Sequence, residues 1–220
     1  MTTEMMSLGG LQKTSLRQQA LSALRKAITT GELPPGKHLV ETDLSEMLQI
    51  SRGTLREALR QLQQEGLVAS GARGRLAVRS LDTREIRDIF AVRAALEVLA
   101  AQTLCRVEDR SEALDSLRSC LDAMEAAAKR GLEEGIEADL EFHRAMCRLS
   151  GNESLLLAWE QLEGSIRMSI MWAGRDRGMK NMDAGRHADI VDAIESADAE
   201  LVGQVIRTHM DTAANVLVTG

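Results

Sequence analysis

The chain has 220 residues, enough for one large or two small domains, and its 44% hydrophobic and 27% charged content argues against disorder and against a membrane-spanning protein. No apolar run approaches the roughly 18 residues of a transmembrane helix, and the opening MTTEMMSLGGLQKTS lacks a basic segment leading into an apolar one, so a cytoplasmic location with no membrane partner is expected. Cys105, Cys120 and Cys147 are odd in number and form no CxxC pair, which argues against a disulfide framework or a cysteine zinc knuckle.

Tyrosine is absent, aromatic residues are 2%, and both prolines stand together at Pro34 and Pro35. The rest of the chain, free of proline and rich in Ala, Leu, Glu, Arg and Met, predicts a mainly α protein, because these residues lose little entropy in a helix. The net charge of −6 is unevenly spread. Residues 1–80 hold 11 Lys and Arg against 7 Asp and Glu, and residues 81–220 hold 16 against 26. A basic first third joined to an acidic remainder suits a protein of which one part meets a polyanion.

In chain order, residues 1–12 read as a flexible tail. Residues 15–30 predict a helix with Leu16, Ala20, Leu24, Ala27 and Ile28 on one face and Gly31 as its stop. A Pro-Pro-Gly loop follows. A short helix over Glu41–Leu48 then turns Leu44, Met47 and Leu48 inward. After the QIS turn, Ser51 is placed to cap a helix that buries Leu55, Ala58, Leu59 and Leu62, while Arg52, Arg56 and Arg60 run along another face.

Short helix, tight turn and arginine-bearing helix make a helix-turn-helix, whose second helix presents its N-terminal side chains to the major groove. Guanidinium groups there suit guanine or phosphate. The run LVASGARGRLAVRS predicts a β-hairpin with a basic tip at Arg73 and Arg75, a wing able to touch the neighbouring groove or backbone. His38, in the Pro-Gly loop, reads as surface or close to DNA.

The run DLSEMLQISRGTLREALRQLQQEGLV with RG at the wing tip resembles the winged-helix domain of GntR-type bacterial transcription regulators, over residues 13–80. That resemblance implies DNA contacts from Arg52 and Arg56, a contact position at Thr54 between them, and a wing-tip glycine at Gly74. Two positions depart from the pattern. Thr42 stands where some members carry a DNA-touching arginine, and Gly53 stands where threonine is usual.

From residue 83 the sequence predicts six helices, at about 83–106, 110–130, 133–150, 153–173, 180–196 and 198–218, folded as an antiparallel bundle of six to seven helices. Ligand sites in bundles form from polar side chains on apolar faces. Asp139 and His143 lie on the stripe of Ile136, Leu140 and Cys147; His187 shares a face with Val191 and Ile194; His209 follows Val202, Val205 and Ile206. Buried imidazoles can simply be hydrogen-bonded core residues. A buried carboxylate beside them costs several kcal/mol unless compensated, and a divalent cation would compensate it. One Asp and three His suit Zn first, with Ni, Fe, Mn or Co also matched to mixed oxygen and nitrogen ligation. Cys147, one turn beyond His143, reads as a packed thiol.

Within an expected effector-binding and dimerisation domain of residues 83–220, residues 83–215 also resemble the FCD ligand-binding domain of the FadR-like branch, through VRAALE at 92–97, DLEFH at 139–143, SGN at 150–152, the helix of His187, and His209. The resemblance implies a divalent metal on Asp139, His143, His187 and His209, helping to hold a small organic acid. Arg93 matches the arginine of the family's VRxxLE segment, and either clamps a carboxylate or pairs with Glu97 one turn away. Trp172 and Arg167 are further candidates for the effector pocket.

The sequence thus reads as a homodimeric transcription regulator, chiefly a repressor, on a palindromic double-stranded operator. A small carboxylate effector would control it, and no enzyme activity is expected. A purely structural metal, or a metal-dependent enzyme acting on small carboxylates, is the alternative.

Overall fold

The computed structural model describes residues 15–71 and 74–219. Helix α1 (Leu16–Thr29) begins at a reciprocal cap, in which Gln18 N–H donates to the Ser15 hydroxyl and Ser15 N–H donates to the Gln18 side-chain oxygen, each at 3.3 Å. It buries Ala20, Leu24 and Ile28. Leu16, expected on that face, is 59% exposed, because as the first helical residue it precedes the turn at which the packed face begins.

Helix α2 (Glu41–Met47) buries Leu44 and Ser45. Met47 is a correction to the expected face: it is 75% exposed, and Ser45 takes its place beside Leu44, its hydroxyl satisfied by the Thr42 carbonyl at 2.9 Å. The chain then turns through Gln49, at φ 53°, into α3 (Arg52–Gln64). Ser51 caps α3 as expected, accepting from Thr54 N–H at 3.1 Å, and Leu55, Ala58, Leu59 and Leu62 are all buried against α1 and α2.

Strands β1 (Val68–Ser70) and β2 (Leu76–Val78) form the expected antiparallel hairpin, with Val68 opposite Val78 and Ser70 opposite Leu76. His38 bridges to Ala77 along the other side of β2. Gly74 turns the tip at φ +72°, in the left-handed region that glycine enters without strain. Arg73 lies outside the described residues, as does the tail expected over 1–12.

A second reciprocal cap, Asp82 with Glu85, starts α4 (Thr83–Cys105). Then come α5 (Ser111–Ala128), α6 (Leu132–Leu149), α7 (Glu153–Ala173), α8 (Arg175–Asn181), α9 (Ala184–Glu195) and α10 (Ala199–Val218). The short α8 was not expected. Gly174 at φ +83° ends α7 and lets the chain start α8, and α9 begins at Ala184 rather than near residue 180. Helix α4 packs chiefly along α10 and also touches α6, α7 and α9, so four helices surround its inner face.

The winged part sits on α6 and α7. Arg79 donates to the Ser165 hydroxyl at 2.6 Å, and Thr29 donates to Glu133 at 3.3 Å. The closest approach is backbone to backbone: a Cβ added at Gly164 would lie 1.2 Å from the Glu65 carbonyl oxygen. Only glycine admits that contact. Gly164→Ala is therefore expected to lower stability by about 1–3 kcal/mol in chemical denaturation, since the winged part must shift to admit the methyl group. Gly53→Ala should behave oppositely. The nearest atom to its Cβ would be 3.7 Å away and its φ is unremarkable, so helix propensity predicts a gain of up to about 1 kcal/mol.

Candidate metal centre and nucleic-acid surface

Helix α6 delivers Asp139 and His143 one turn apart on its buried face, α9 delivers His187 and α10 delivers His209. His143 and His187 are fully buried, Asp139 is 1% exposed and His209 8%. Ligand-type atoms of the three histidines all lie within 4.8 Å of one another. Asp139 Oδ1 is 3.1 Å from His187 Nε2, so the fourth residue adjoins the cluster through that ring.

The outward nitrogens are committed. His187 Nδ1–H donates to the Asp183 carbonyl at 2.8 Å, and His143 Nδ1–H donates to Glu97 Oε2 at 2.6 Å. A carbonyl and a carboxylate can only accept, so each ring carries its hydrogen on Nδ1 and presents a bare Nε2 inward. Those two Nε2 atoms face each other at 3.1 Å. Two lone pairs at that distance repel unless something positive lies between them, and bonds of about 2.0–2.1 Å to a shared ion would produce roughly this spacing. The donor set fits a divalent transition metal.

Electrostatics disfavours the charged form of His143 and of His209. Burial pushes His143 well below its ordinary 6.5, and the positive charge of Arg93 pushes the same way. Burial does the same to His209, joined by the other two rings. Burial alone would raise the Asp139 carboxyl, but the adjoining His187 ring, together with His143 and the positive charge of Arg93, outweighs it and holds it below 3.8.

Arg93 is 1% exposed and makes the expected pair with Glu97, Nε to Oε1 at 2.7 Å. Its Nη2 is spare. That atom and Asp139 Oδ2, 3.8 Å apart, are buried without a hydrogen-bond partner among the described residues. Unpartnered buried polar atoms are costly, and these two flank the cluster as one free donor and one free acceptor. Between α9 and α10 an open cavity of about 640 Å³ reaches inward to His209, lined also by Arg186, Asp189, Gln204, Thr208 and Thr212.

The structure does not bring Arg167 or Trp172 to this cluster. Arg167 pairs with Glu137 and with Glu163, and lines a separate crevice with Arg25, Glu65 and Gly164 between the winged part and the bundle. Two carboxylates facing the winged part hold the guanidinium there. Trp172 is half-buried near the end of α7, its ring centroid 5.9 Å from the Arg177 guanidinium. Cys147 is fully buried and burial pushes its thiol up, as a packed core thiol requires. Read from the sequence, Glu97 is only a partner for Arg93, and nothing marks Trp159 or Arg186. A carboxylate four residues after Arg93 looks like a routine helical ion pair, and nothing in the spacing places Trp159 beside it.

On the winged part, Arg52, Arg60 and Arg75 are exposed. Thr54 is half-buried, its hydroxyl 2.9 Å from that of Ser51. Arg56 remains 64% exposed while its Nε donates to Glu41 at 2.7 Å, which steers the guanidinium across α2.

A capped helix carrying exposed arginines, a hairpin beside it and a buried polar centre in an attached bundle define a two-part DNA-binding regulator. The chain belongs to the GntR family of bacterial regulatory proteins: the family's N-terminal model matches residues 16–78 and the FCD domain matches residues 88–212. It is 28% identical over 201 residues to a probable D-xylose utilization operon transcriptional repressor of Paenarthrobacter nicotinovorans, covering 91% of this chain and 88% of that one. It is 24% identical over 207 residues to the gluconate operon transcriptional repressor of Bacillus licheniformis, covering 91% and 84%.

Its fold is that of a GntR regulator from Rhodococcus sp. RHA1, with TM-score 0.74 at 23% identity over 92% of this chain and 97% of that one. Escherichia coli McbR/YncC gives TM-score 0.70 at 22% identity with the same coverage. GntR proteins bind DNA, and the family and these relatives are regulators rather than enzymes. No described helix is long and apolar enough to cross a membrane.

The depressed values of His143 and His209 set a sign for pH dependence. The unfolded chain takes up protons near 6.5 while the folded chain resists, so stability is full above about pH 6.5 and is lost as pH falls below it. Chelator-treated protein should lose melting temperature between about pH 7.5 and 5.5. His209→Gln should flatten that profile. A melting temperature that rises on acidification would contradict the assignment.

Proposed function

We propose that the protein is a homodimeric transcription repressor whose affinity for a palindromic operator is set by a small organic acid bound at a divalent metal in the bundle. The division of labour follows the sequence: residues 13–80 read DNA, and residues 83–220 bind metal and effector and dimerise. The carrying observation is the facing pair of bare nitrogens, His143 Nε2 and His187 Nε2 at 3.1 Å, with both Nδ1–H groups already bonded outward.

Asp139, His143, His187 and His209 hold the ion, with Zn the first choice and Ni, Fe, Mn or Co suited to the same donors. The ion supplies positive charge and an open position for a carboxylate. The spare Arg93 Nη2 gives that carboxylate a second donor, and the cavity at Arg186 gives it a way in. Two relatives are named for gluconate and D-xylose operons, which favours a polyhydroxylated acid as effector. Arg167 and Trp172 are given no part in holding it.

On DNA, Arg52 and Arg56 contact bases or phosphates in the major groove with Thr54 between them, and Arg73, Gly74 and Arg75 bring the wing to the adjacent backbone. Two winged helices in a dimer read half-sites about 34 Å apart, and a coupling of about 1–3 kcal/mol between effector and operator makes a working switch. Effector binding weakens operator affinity.

Metal analysis of the purified protein, paired with thermal melts against sugar acids, dicarboxylates and aromatic acids, tests this reading. About one metal per chain, and one acid class that raises the melting temperature, is the expected outcome. Absence of metal together with no shift overturns it. His187→Ala should strip the metal with helix content retained. Arg56→Ala should weaken operator binding by about 1–3 kcal/mol in a titration with labelled operator.

A further inference from the structure

Glu97 is a fully buried carboxylate that accepts three hydrogen bonds. Arg93 Nε–H at 2.7 Å and Trp159 Nε1–H at 2.8 Å donate to Oε1, and His143 Nδ1–H at 2.6 Å donates to Oε2. These contacts tie α4 to α6 and α7 at a point where the surroundings are Phe90, Phe142 and other closed core. We propose that Glu97 is the positioning residue that sets the tautomer of His143, holding the hydrogen on Nδ1 and leaving Nε2 bare to serve as a ligand. This rests on the metal reading above for its purpose, but not for its geometry.

Counting hydrogens fixes the arrangement. A neutral imidazole has one N–H, and an ionised carboxylate has none. Oε1 is saturated by two groups that can only donate, the Arg93 guanidinium and the Trp159 indole. Oε2 therefore fixes the His143 hydrogen on the side away from His187. No other described hydrogen bond reaches that ring except the 3.1 Å approach of His187 Nε2, itself a bare acceptor. Removing the carboxylate charge while keeping its shape should reverse the arrangement. In Glu97→Gln the amide has a single oxygen, which the two donors Arg93 and Trp159 retain. Its NH2 then faces His143 Nδ1 and can only donate, so the imidazole hydrogen moves to Nε2. From there it bonds to His187 Nε2. The pair closes on itself, and the position a metal would use is filled by a hydrogen.

The Trp159→Phe variant separates this role from a merely structural one. It removes a donor from Oε1 but leaves the bond from His143 to Oε2, so the tautomer should stay as in the wild type.

The experiment uses full-length protein labelled with 15N-histidine, stripped of metal by chelator, with long-range 1H–15N spectra that distinguish the two tautomers. Only four histidines are present, and His143→Gln identifies the resonance. The expected result is Nδ1–H at His143 in the wild type and in Trp159→Phe, and Nε2–H in Glu97→Gln. Competition for Zn against a chromogenic chelator should then show Glu97→Gln binding about 10- to 100-fold more weakly, with Trp159→Phe close to wild type. Nε2–H at His143 in the wild type overturns the proposal, and does so even if Glu97→Gln fails to fold. A folded Glu97→Gln that keeps Nδ1–H also overturns it. A wild type with the stated tautomers that binds no divalent metal supports the assignment of Glu97 while removing the metal reading itself.

Discussion

The bundle is organised around charge that cannot reach water. Arg93, Glu97 and Asp139 are almost completely buried together with His143 and His187, and beyond the Arg93–Glu97 pair within α4 the two carboxylates find their partners on other helices. Glu97 on α4 is satisfied from α6 and α7 as well as from its own helix, and Asp139 on α6 meets a ring from α9. The apolar residues around them would pack in many registers. The polar contacts select one, because sliding any of these helices by a residue would strand a charge in the core.

Much of this was legible beforehand. The positions i, i+3, i+4 and i+7 from Leu55 to Leu62 specify α3, and Ser51 does cap it, because a short polar side chain at a helix start has few other partners. Burial of Asp139, His143, His187 and His209 followed from their place on apolar stripes. Where local pattern misled, the cause was either an end effect, as at Leu16, or a polar residue finding a local partner, as when Ser45 displaced Met47 from the buried face. Helix α8 escaped notice because a seven-residue helix spans barely two turns, too few to display a period.

The site was less legible than the fold. Spacing can say that a side chain points inward, but it cannot say which inward-pointing groups from distant segments meet. Arg93 and Arg167 both read as inward arginines at helical positions. One lies beside the cluster, and the other is drawn to Glu137 and Glu163 beneath the winged part. Trp159 and Glu97 are 62 residues apart, and only the crossing of α4 with α7 brings them together.

Helix α7 serves both halves of the molecule. Trp159 reaches into the polar core, and five residues later Gly164 receives the carbonyl of Glu65. That seat is made by main-chain atoms alone on both sides. Arg79 and Thr29 add side-chain bonds beside it, whereas the exposed Arg52, Arg60 and Arg75 take no part in it, so those three can change without disturbing how the winged part rests on the bundle. The exposed arginine surface and the mechanical linkage are separable features of this chain, the first carried by side chains of α3 and the wing and the second centred on backbone at residue 164.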